Sequence, residues 1–221
     1  MIRAVAWDID GTLIDSEPLH YRALVQVCTE LDIDITMFDE HEFIGVHMEE
    51  VWRTILPYVP AGVSYSIWLS QITKYYTAHW GELSPIFGAK DVVTGIASLG
   101  VQQVCVSNSC REVVDANLKA LGADHLIQFS LSLDDVPSGK PDPSPYIQAS
   151  QKLGIPTDEM LIIEDSHSGI LSGFLSGGAV VQLKSDAFET HQNARYQVEE
   201  LSSILAIIQE INHGGDHAVS N

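Results

Sequence analysis

The sequence has no long apolar run, few cysteines and few positive charges. No stretch of about 18 apolar residues occurs, so we expect no transmembrane helix. The N-terminus has no basic segment followed by a long apolar one, so we expect no signal peptide. The three cysteines in the 221 residues lack the spacing of metal ligands, which favours buried thiols in a reducing, cytoplasmic environment.

Positive charge is scarce, because 11 Lys and Arg stand against 30 Asp and Glu and give a formal net charge of −19. Such a charge disfavours binding to DNA, to RNA or to an anionic membrane surface. The overall field also does not attract an anionic substrate, so a phosphate must be held locally by a metal ion and a few cations. The oligomeric state stays open, with a monomer or a weak homodimer as the expectation.

An aspartate-rich loop follows the first apolar segment of the chain. Residues 2–6 predict a buried strand that ends near Trp7, and Asp8-Ile9-Asp10-Gly11-Thr12 comes next. While the chain stays extended, Asp8 and Asp10 point to the same side and their carboxylates repel each other. A Mg²⁺ ion with a phosphate is the natural means of neutralising them. The alternative is a polar turn that only caps the strand.

The rest of the chain divides by its hydrophobic pattern. Between Asp15 and Ser84 we find only helical patterns, over 17–31, 48–56 and 64–80. After residue 85, strands alternate with helices, which predicts an α/β fold with a doubly wound, mostly parallel sheet. We therefore expect an α/β core from 1–15 and 85–213, an all-helical cap domain over 16–84, and a disordered tail over 214–221.

Polar residues stand where two further predicted strands end. Ser107-Asn108-Ser109 follows the strand 103–106 and precedes a helix, whose N-terminal N–H groups suit an anion. Glu164 and Asp165 follow the apolar strand 160–163 and offer hard oxygen ligands that suit Mg²⁺. Lys140 lies between these two segments. Taken singly, each segment also has an ordinary structural explanation, as a helix cap or as a solvated loop cation.

Taken together and in this order, the segments at Asp8, Ser107, Lys140 and Glu164 resemble the four motifs of the haloacid dehalogenase (HAD) superfamily. The chain looks most like its members with a helical cap, such as β-phosphoglucomutase and sugar-phosphate phosphatases, which implies a Rossmann-like core. Two departures are visible. Trp7 replaces a more usual Phe, and Ser144 stands where an Asp is expected, although serine caps a helix equally well.

The resemblance implies a set of roles. Asp8 is the nucleophile that forms an aspartyl-phosphate, and Asp10 is the general acid and base. Mg²⁺ is held by Asp8, the backbone carbonyl of Asp10 and Asp165, with Glu164 in or next to that shell. The candidate phosphate- and substrate-binding residues are Ser107, Asn108, Lys140, Gly11, Thr12 and His20.

The cap carries less residue-level information. It is expected to act as a lid, in which His20 contacts the substrate or Asp10, or else only packs within its helix. Gly45, His47 and Lys74 are weaker candidates for which a structural role is the alternative.

The favoured function is Mg²⁺-dependent hydrolysis of a small phosphorylated metabolite, with sugar phosphates among the candidates. The alternative is a β-phosphoglucomutase, but those enzymes carry a cap-loop arginine and residues 45–50 here contain none. Dehalogenases lack the second aspartate that Asp10 supplies, and phosphonate hydrolysis needs a cap lysine such as Lys74. A non-catalytic binding relic need not retain all the motif residues present here.

Overall fold

The computed structural model describes residues 1–43, 45–184 and 190–214. Of the predicted disordered tail over 214–221, residues 215–221 therefore lie outside the described residues. Gly214 is the last residue of a helix. The chain forms two compact units: the α/β unit comprises Met1–Asp15 and Ser84–Asn221, and the cap unit comprises Ser16–Leu83. Within the described ranges, the helices are too short or too polar to cross a membrane.

The α/β unit contains eight strands among its described residues. In chain order these are β1 (Ala4–Trp7), β2 (Ile14–Asp15), β3 (Ser84–Pro85), β4 (Gln102–Val106), β5 (Ser130–Leu131), β6 (Met160–Glu164), β7 (Ala179–Leu183) and β8 (Tyr196–Val198). Six of them form one parallel sheet in the order β5-β4-β1-β6-β7-β8. The predicted doubly wound, mostly parallel sheet is confirmed.

Helices follow most strands of this sheet. In the α/β unit they are α4 (Ala89–Ser98), α5 (Arg111–Leu121), α6 (Ser144–Leu153), α7 (His167–Leu175) and α8 (Ser203–Gly214). The central strands β1 and β6 are buried along their whole length, which is why both are continuous apolar runs, apart from Glu164 at the end of β6, rather than alternating ones.

The register of the central strands sets where the polar segments lie. Trp7 at the end of β1 pairs with Cys105 of β4 on one side and with Ile163 of β6 on the other. Asp8, Ser107 and Glu164 therefore reach the same edge of the sheet, at the carboxyl ends of three adjacent parallel strands.

Two short strand regions differ from the sequence-based expectation. Ile14 and Asp15 pair in antiparallel fashion with Pro85 and Ser84, a pairing that the sequence pattern did not predict. Two-residue strands are too short to show a periodic pattern. Near the end of the chain, Tyr196–Val198 forms the edge strand β8, and α8 begins only at Ser203.

The cap unit is helical, as predicted, with α1 (Glu17–Glu30), α2 (Met48–Ile55) and α3 (Tyr65–Ala78) joined by short 3₁₀ turns. No strand occurs among the described residues of 16–83. Its core combines the apolar faces of the three helices with tilted aromatic rings, such as those of Trp52 and Trp68, whose centroids lie 5.3 Å apart. Burial of these faces stabilises an insert that contains no sheet of its own.

The residues at the N-cap positions of α1 and α6 make no side-chain capping bond. Ser16 occupies the N-cap position of α1, but its buried hydroxyl makes no capping bond and has no partner within the described ranges. The prediction that Ser144 caps α6 is wrong, because Pro143 holds the N-cap position. Asp142 Oδ1 instead accepts a hydrogen bond from the Ser144 N–H at 2.8 Å. The acidic side chain two residues earlier thus supplies the oxygen that a capping residue provides.

Candidate active site

Lys140 lies at the centre of the polar strand ends. Its ammonium group donates to Asp8 Oδ1 at 2.7 Å, to Glu164 Oε1 at 2.5 Å and to the carbonyl of Val106 at 2.7 Å. Only 5 % of the residue is exposed. Lys140 is therefore a buried ion-pair partner of two carboxylates, and the interpretation as a solvated loop cation does not hold.

The charges around Lys140 are unbalanced. Burial opposes its positive charge, but attraction by Asp8 and Glu164 outweighs this and raises the pKa of Lys140 above its usual value, so the ammonium keeps its proton. Burial, followed by repulsion from Glu164, raises the pKa of Asp8 well above its usual value even with Lys140 beside it. One ammonium does not compensate the carboxylates that meet here.

Three carboxylates form an acidic cluster suited to a cation. Oxygen atoms of Asp8, Glu164 and Asp165 all lie within 4.8 Å of one another. The Oδ2 atom of Asp8 is buried and has no hydrogen-bond partner among the residues that the structure describes. Burial and repulsion from Glu164 raise the pKa of Asp165 to about 7. An unpartnered buried oxygen among hard carboxylate ligands fits a divalent metal ion.

The loop after Asp8 contacts the side chain of Asp165, the third carboxylate of this cluster. The Thr12 hydroxyl donates to Asp165 Oδ1 at 3.3 Å. Gly11 has a φ of +78°, and a Cβ atom there would lie 2.1 Å from Asp165 Oδ2. In this structure Gly11 and Thr12 shape the space around Asp165, and their predicted contact with phosphate stays a prediction.

Glu164 is completely buried and accepts hydrogen bonds from two hydroxyl groups, of which that of Tyr146 was not predicted from the sequence. The Tyr146 hydroxyl donates to Glu164 Oε1 at 2.5 Å, and the Ser166 hydroxyl donates to Oε2 at 3.1 Å. Tyr146 lies in the first turn of α6, on the buried face that it shares with Ala149. A tyrosine on such a face needs a buried partner for its hydroxyl, and that requirement was a signal available in the sequence.

Asp10 faces a different set of partners. Its Oδ2 atom accepts from the hydroxyls of Ser107 at 3.1 Å and Ser109 at 2.9 Å. Its Oδ1 atom accepts from the side-chain amide of Asn117 at 2.8 Å. Asp10 thus lies beside the acidic cluster while its carboxylate is bound by neutral donors, an environment distinct from that of Asp8.

Asn108 supports the lysine loop. Its side-chain amide donates to the Lys140 carbonyl at 2.9 Å, and its Oδ1 accepts from the Lys140 N–H at 2.8 Å. A Cβ atom at Gly139 would lie 2.6 Å from this Oδ1, so the preceding residue is a glycine for steric reasons. The Asn108 side chain positions Lys140, and the predicted phosphate contact near Asn108 stays a prediction for its backbone.

The cap candidates belong to the other unit. The His20 ring stacks on Tyr76, with centroids 4.3 Å apart. The Gly45 N–H donates to Glu17 Oε1 at 3.2 Å, while His47 and Lys74 are exposed. Their contact with a substrate stays a prediction.

Comparison with known sequences places these motifs in a family. A model described as haloacid dehalogenase-like hydrolase matches residues 5–183. The chain is 30 % identical over 196 residues to Protein SUPPRESSOR OF QUENCHING 1, chloroplastic, of Arabidopsis thaliana, covering 85 % of this chain but only 18 % of that much longer protein. It is 26 % identical over 171 residues to a phosphoglycolate phosphatase of Thiobacillus denitrificans, covering 75 % of each chain.

Solved structures share the fold. The crystal structure of CbbY from Rhodobacter sphaeroides in complex with phosphate has a TM-score of 0.83 at 22 % identity, covering 92 % of this chain and 96 % of that one. The resemblance to the haloacid dehalogenase superfamily that the sequence motifs indicated is confirmed. Since the family model spans the sheet from β1 to β7 and all four motifs, the chain belongs to the haloacid dehalogenase-like hydrolase family.

Proposed function

We propose that this protein is a Mg²⁺-dependent phosphatase that hydrolyses phosphate monoesters of small metabolites through an aspartyl-phosphate on Asp8. One observation carries the proposal. The two oxygens of Asp8 differ, because Oδ1 pairs with the Lys140 ammonium while Oδ2 is buried and unpartnered among the described residues, beside Glu164 and Asp165. The phosphatases among the relatives, named for phosphoglycolate and for pyrophosphate, support the same reaction class.

The acidic cluster would hold the metal. Asp8 and Asp165 are the proposed side-chain ligands, with Glu164 beside them and the backbone carbonyl of Asp10 as a further ligand. The bound cation would neutralise the charge between the carboxylates and an incoming phosphate and would stabilise the transferring phosphoryl group. Hard oxygen donors of this kind suit Mg²⁺.

Each residue then has a defined part in the reaction. A carboxylate oxygen of Asp8 bonds to phosphorus while the bond from phosphorus to the leaving oxygen breaks, and Asp10 gives that oxygen its proton. Asp10 next takes a proton from water, whose oxygen hydrolyses the aspartyl-phosphate and regenerates Asp8. Lys140 and Ser107 bind the phosphoryl oxygens and stabilise the charge that develops on them.

Hydrolysis is favoured over transfer to a second sugar hydroxyl. A mutase must retain its bisphosphorylated intermediate and hold the second phosphate group, and a cation in the cap would bind that group. Residues 45–50 read Gly-Val-His-Met-Glu-Glu and contain no arginine or lysine. With a net charge of −19, the protein is proposed to act on small anions held at this site rather than on nucleic acid.

The test is phosphate release from p-nitrophenyl phosphate, pyrophosphate, phosphoglycolate, nucleotides and sugar phosphates, with Mg²⁺ or with EDTA. We expect release with Mg²⁺ only. Asp8→Asn should retain less than about 1 % of the turnover, since an amide is a poor nucleophile. Asp91→Asn, an exposed carboxylate of α4, is the matched control and should retain full turnover.

Two results would overturn the proposal. One is turnover by Asp8→Asn above about 1 % of the wild type, and the other is equal turnover with EDTA and with Mg²⁺. Isomerisation of glucose 1-phosphate, measured beside hydrolysis, would favour the mutase instead.

A further inference from the structure

A buried asparagine interrupts the apolar face of α5. The buried residues of this helix include Val113, Val114 and Leu121, and Asn117 lies among them with no exposed surface. Asparagine is a poor residue for a helix interior, and a buried amide is costly unless it is hydrogen-bonded. The amide of Asn117 meets this requirement by donating to Asp10 Oδ1 at 2.8 Å.

We propose that Asn117 is a positioning residue for the general acid: by donating to Oδ1 of Asp10, it leaves Oδ2 as the oxygen that delivers the proton to the leaving group. This inference rests on the proposed function, in which Asp10 is the acid. It concerns a residue on a different element from any of the four sequence motifs.

The chemistry of the partners separates the two oxygens of Asp10. The NH₂ group of an asparagine only donates, so the oxygen that faces it must accept. The hydroxyls of Ser107 and Ser109, which face Oδ2, both donate and accept, so they tolerate Oδ2 with or without a proton. When Asp10 is protonated, Oδ2 is therefore the favoured carrier, and it lies beside Ser107, a proposed phosphate-binding residue.

The backbone around Asp10 is held as well. Asp10 forms a β-bridge with Ile14. The helix α5 packs against β2, which follows this loop in the chain, and against its partner strand β3. The bridge to Ile14 thus fixes the backbone of Asp10, and the hydrogen bond from Asn117 holds its carboxylate. Without the Asn117 donor, the carboxyl group keeps its place on the loop and its two serine contacts but loses the side-chain amide that faces Oδ1.

Dependence on the leaving group distinguishes this role from a purely structural one. An alkyl phosphate such as glycerol phosphate needs a proton on its departing oxygen, whereas 2,4-dinitrophenyl phosphate has a leaving group that departs as a stable anion. Misplacing the acid should therefore slow the first substrate selectively, and a general structural defect should slow both substrates equally.

The experiment measures kcat and KM on both esters for the wild type, Asn117→Leu and Asn117→Gln. Leucine has a similar volume, suits the apolar face and keeps the helix, while removing the donor. We expect Asn117→Leu to lower kcat about 10- to 100-fold on glycerol phosphate and less than about 3-fold on the dinitrophenyl ester. Asn117→Gln, which keeps an amide donor, should recover part of the lost kcat.

Two controls calibrate the result. Asp10→Asn sets the full size of the leaving-group effect, and Glu112→Gln, exposed on the first turn of α5, should change neither ester. Equal losses on both esters for Asn117→Leu, or no loss on either, would overturn the positioning role alone. A wild-type protein that hydrolyses neither ester would overturn the proposed function and this inference with it.

Discussion

The ammonium nitrogen of Lys140 lies 2.7 Å from Oδ1 of Asp8, although 132 positions separate them in the chain. The same ammonium also bonds to Glu164, so a single cation serves two carboxylates in a region from which water is largely excluded. Breaking a buried pair of this kind leaves an uncompensated charge, and its cost exceeds that of losing an exposed pair.

Lys140→Gln should therefore lower both stability and activity. We expect the free energy of unfolding in EDTA to fall by about 3 kcal/mol and turnover to fall by at least about 100-fold. Denaturant unfolding and steady-state kinetics check these values. Lys184→Gln removes the exposed ion pair with Glu199 and should cost no more than about 1 kcal/mol; equal losses in the two variants would contradict the central place of Lys140.

Tyr146→Phe tests the support beneath Glu164. The change removes one hydroxyl and leaves a fully buried carboxylate with one donor fewer, which should destabilise the protein by about 1–3 kcal/mol. Thermal and denaturant unfolding measure the loss. Tyr58→Phe, at a residue 42 % exposed, is the control, and a loss as large there would show that the Glu164 bond contributes nothing particular.

The stabilisation by Mg²⁺ should depend on pH. The pKa of Asp165 is raised from 3.8 to about 7, so between these values the folded metal-free protein binds a proton that the unfolded chain has released. Metal-free stability should accordingly decrease as the pH rises through this window. Mg²⁺ competes with that proton, so the rise in Tm on adding MgCl₂ should be larger near about pH 8 than near about pH 5.5.

Thermal unfolding with MgCl₂, and with KCl at matched ionic strength, measures this difference. In Asp165→Asn the rise in Tm on adding MgCl₂ should no longer depend on pH, because the titrating carboxylate is absent. A Tm increment that is independent of pH in the wild type would argue against Asp165 as a ligand.

Gly169→Ala should disturb the site through sterics alone. A Cβ atom there would lie 1.9 Å from Glu164 Oε2, and Glu164 has little room to move because Lys140 and Tyr146 hold its other oxygen. We expect a loss of about 1–3 kcal/mol. At Gly81 a Cβ atom meets nothing within 4 Å, so Gly81→Ala should be neutral in the same unfolding assay, and similar losses at both positions would refute the steric explanation.

The positions of the strand ends could be predicted from the sequence, whereas the contacts made by the helices could not. Apolar runs predicted β1, β4 and β6, and parallel strands bring their ends to one edge, so Asp8, Ser107 and Glu164 were expected together. The contacts of Tyr146 and Asn117 depend on how closely α6 and α5 approach the sheet, a distance that no spacing along the chain encodes. The burial of Lys140 was equally hidden, because a lysine after a glycine in a polar loop has the same pattern whether it is solvated or enclosed.

The two-residue ribbon of β2 and β3 has a consequence for how this protein can change over evolutionary time. Asp15 and Ser84 are hydrogen-bonded neighbours, so the helical segment between them departs from and rejoins the α/β unit at a single point. Such an excursion tolerates lengthening, shortening or replacement without shifting the register of the six-stranded sheet. The helical segment and the α/β unit are thereby free to diversify independently within one polypeptide.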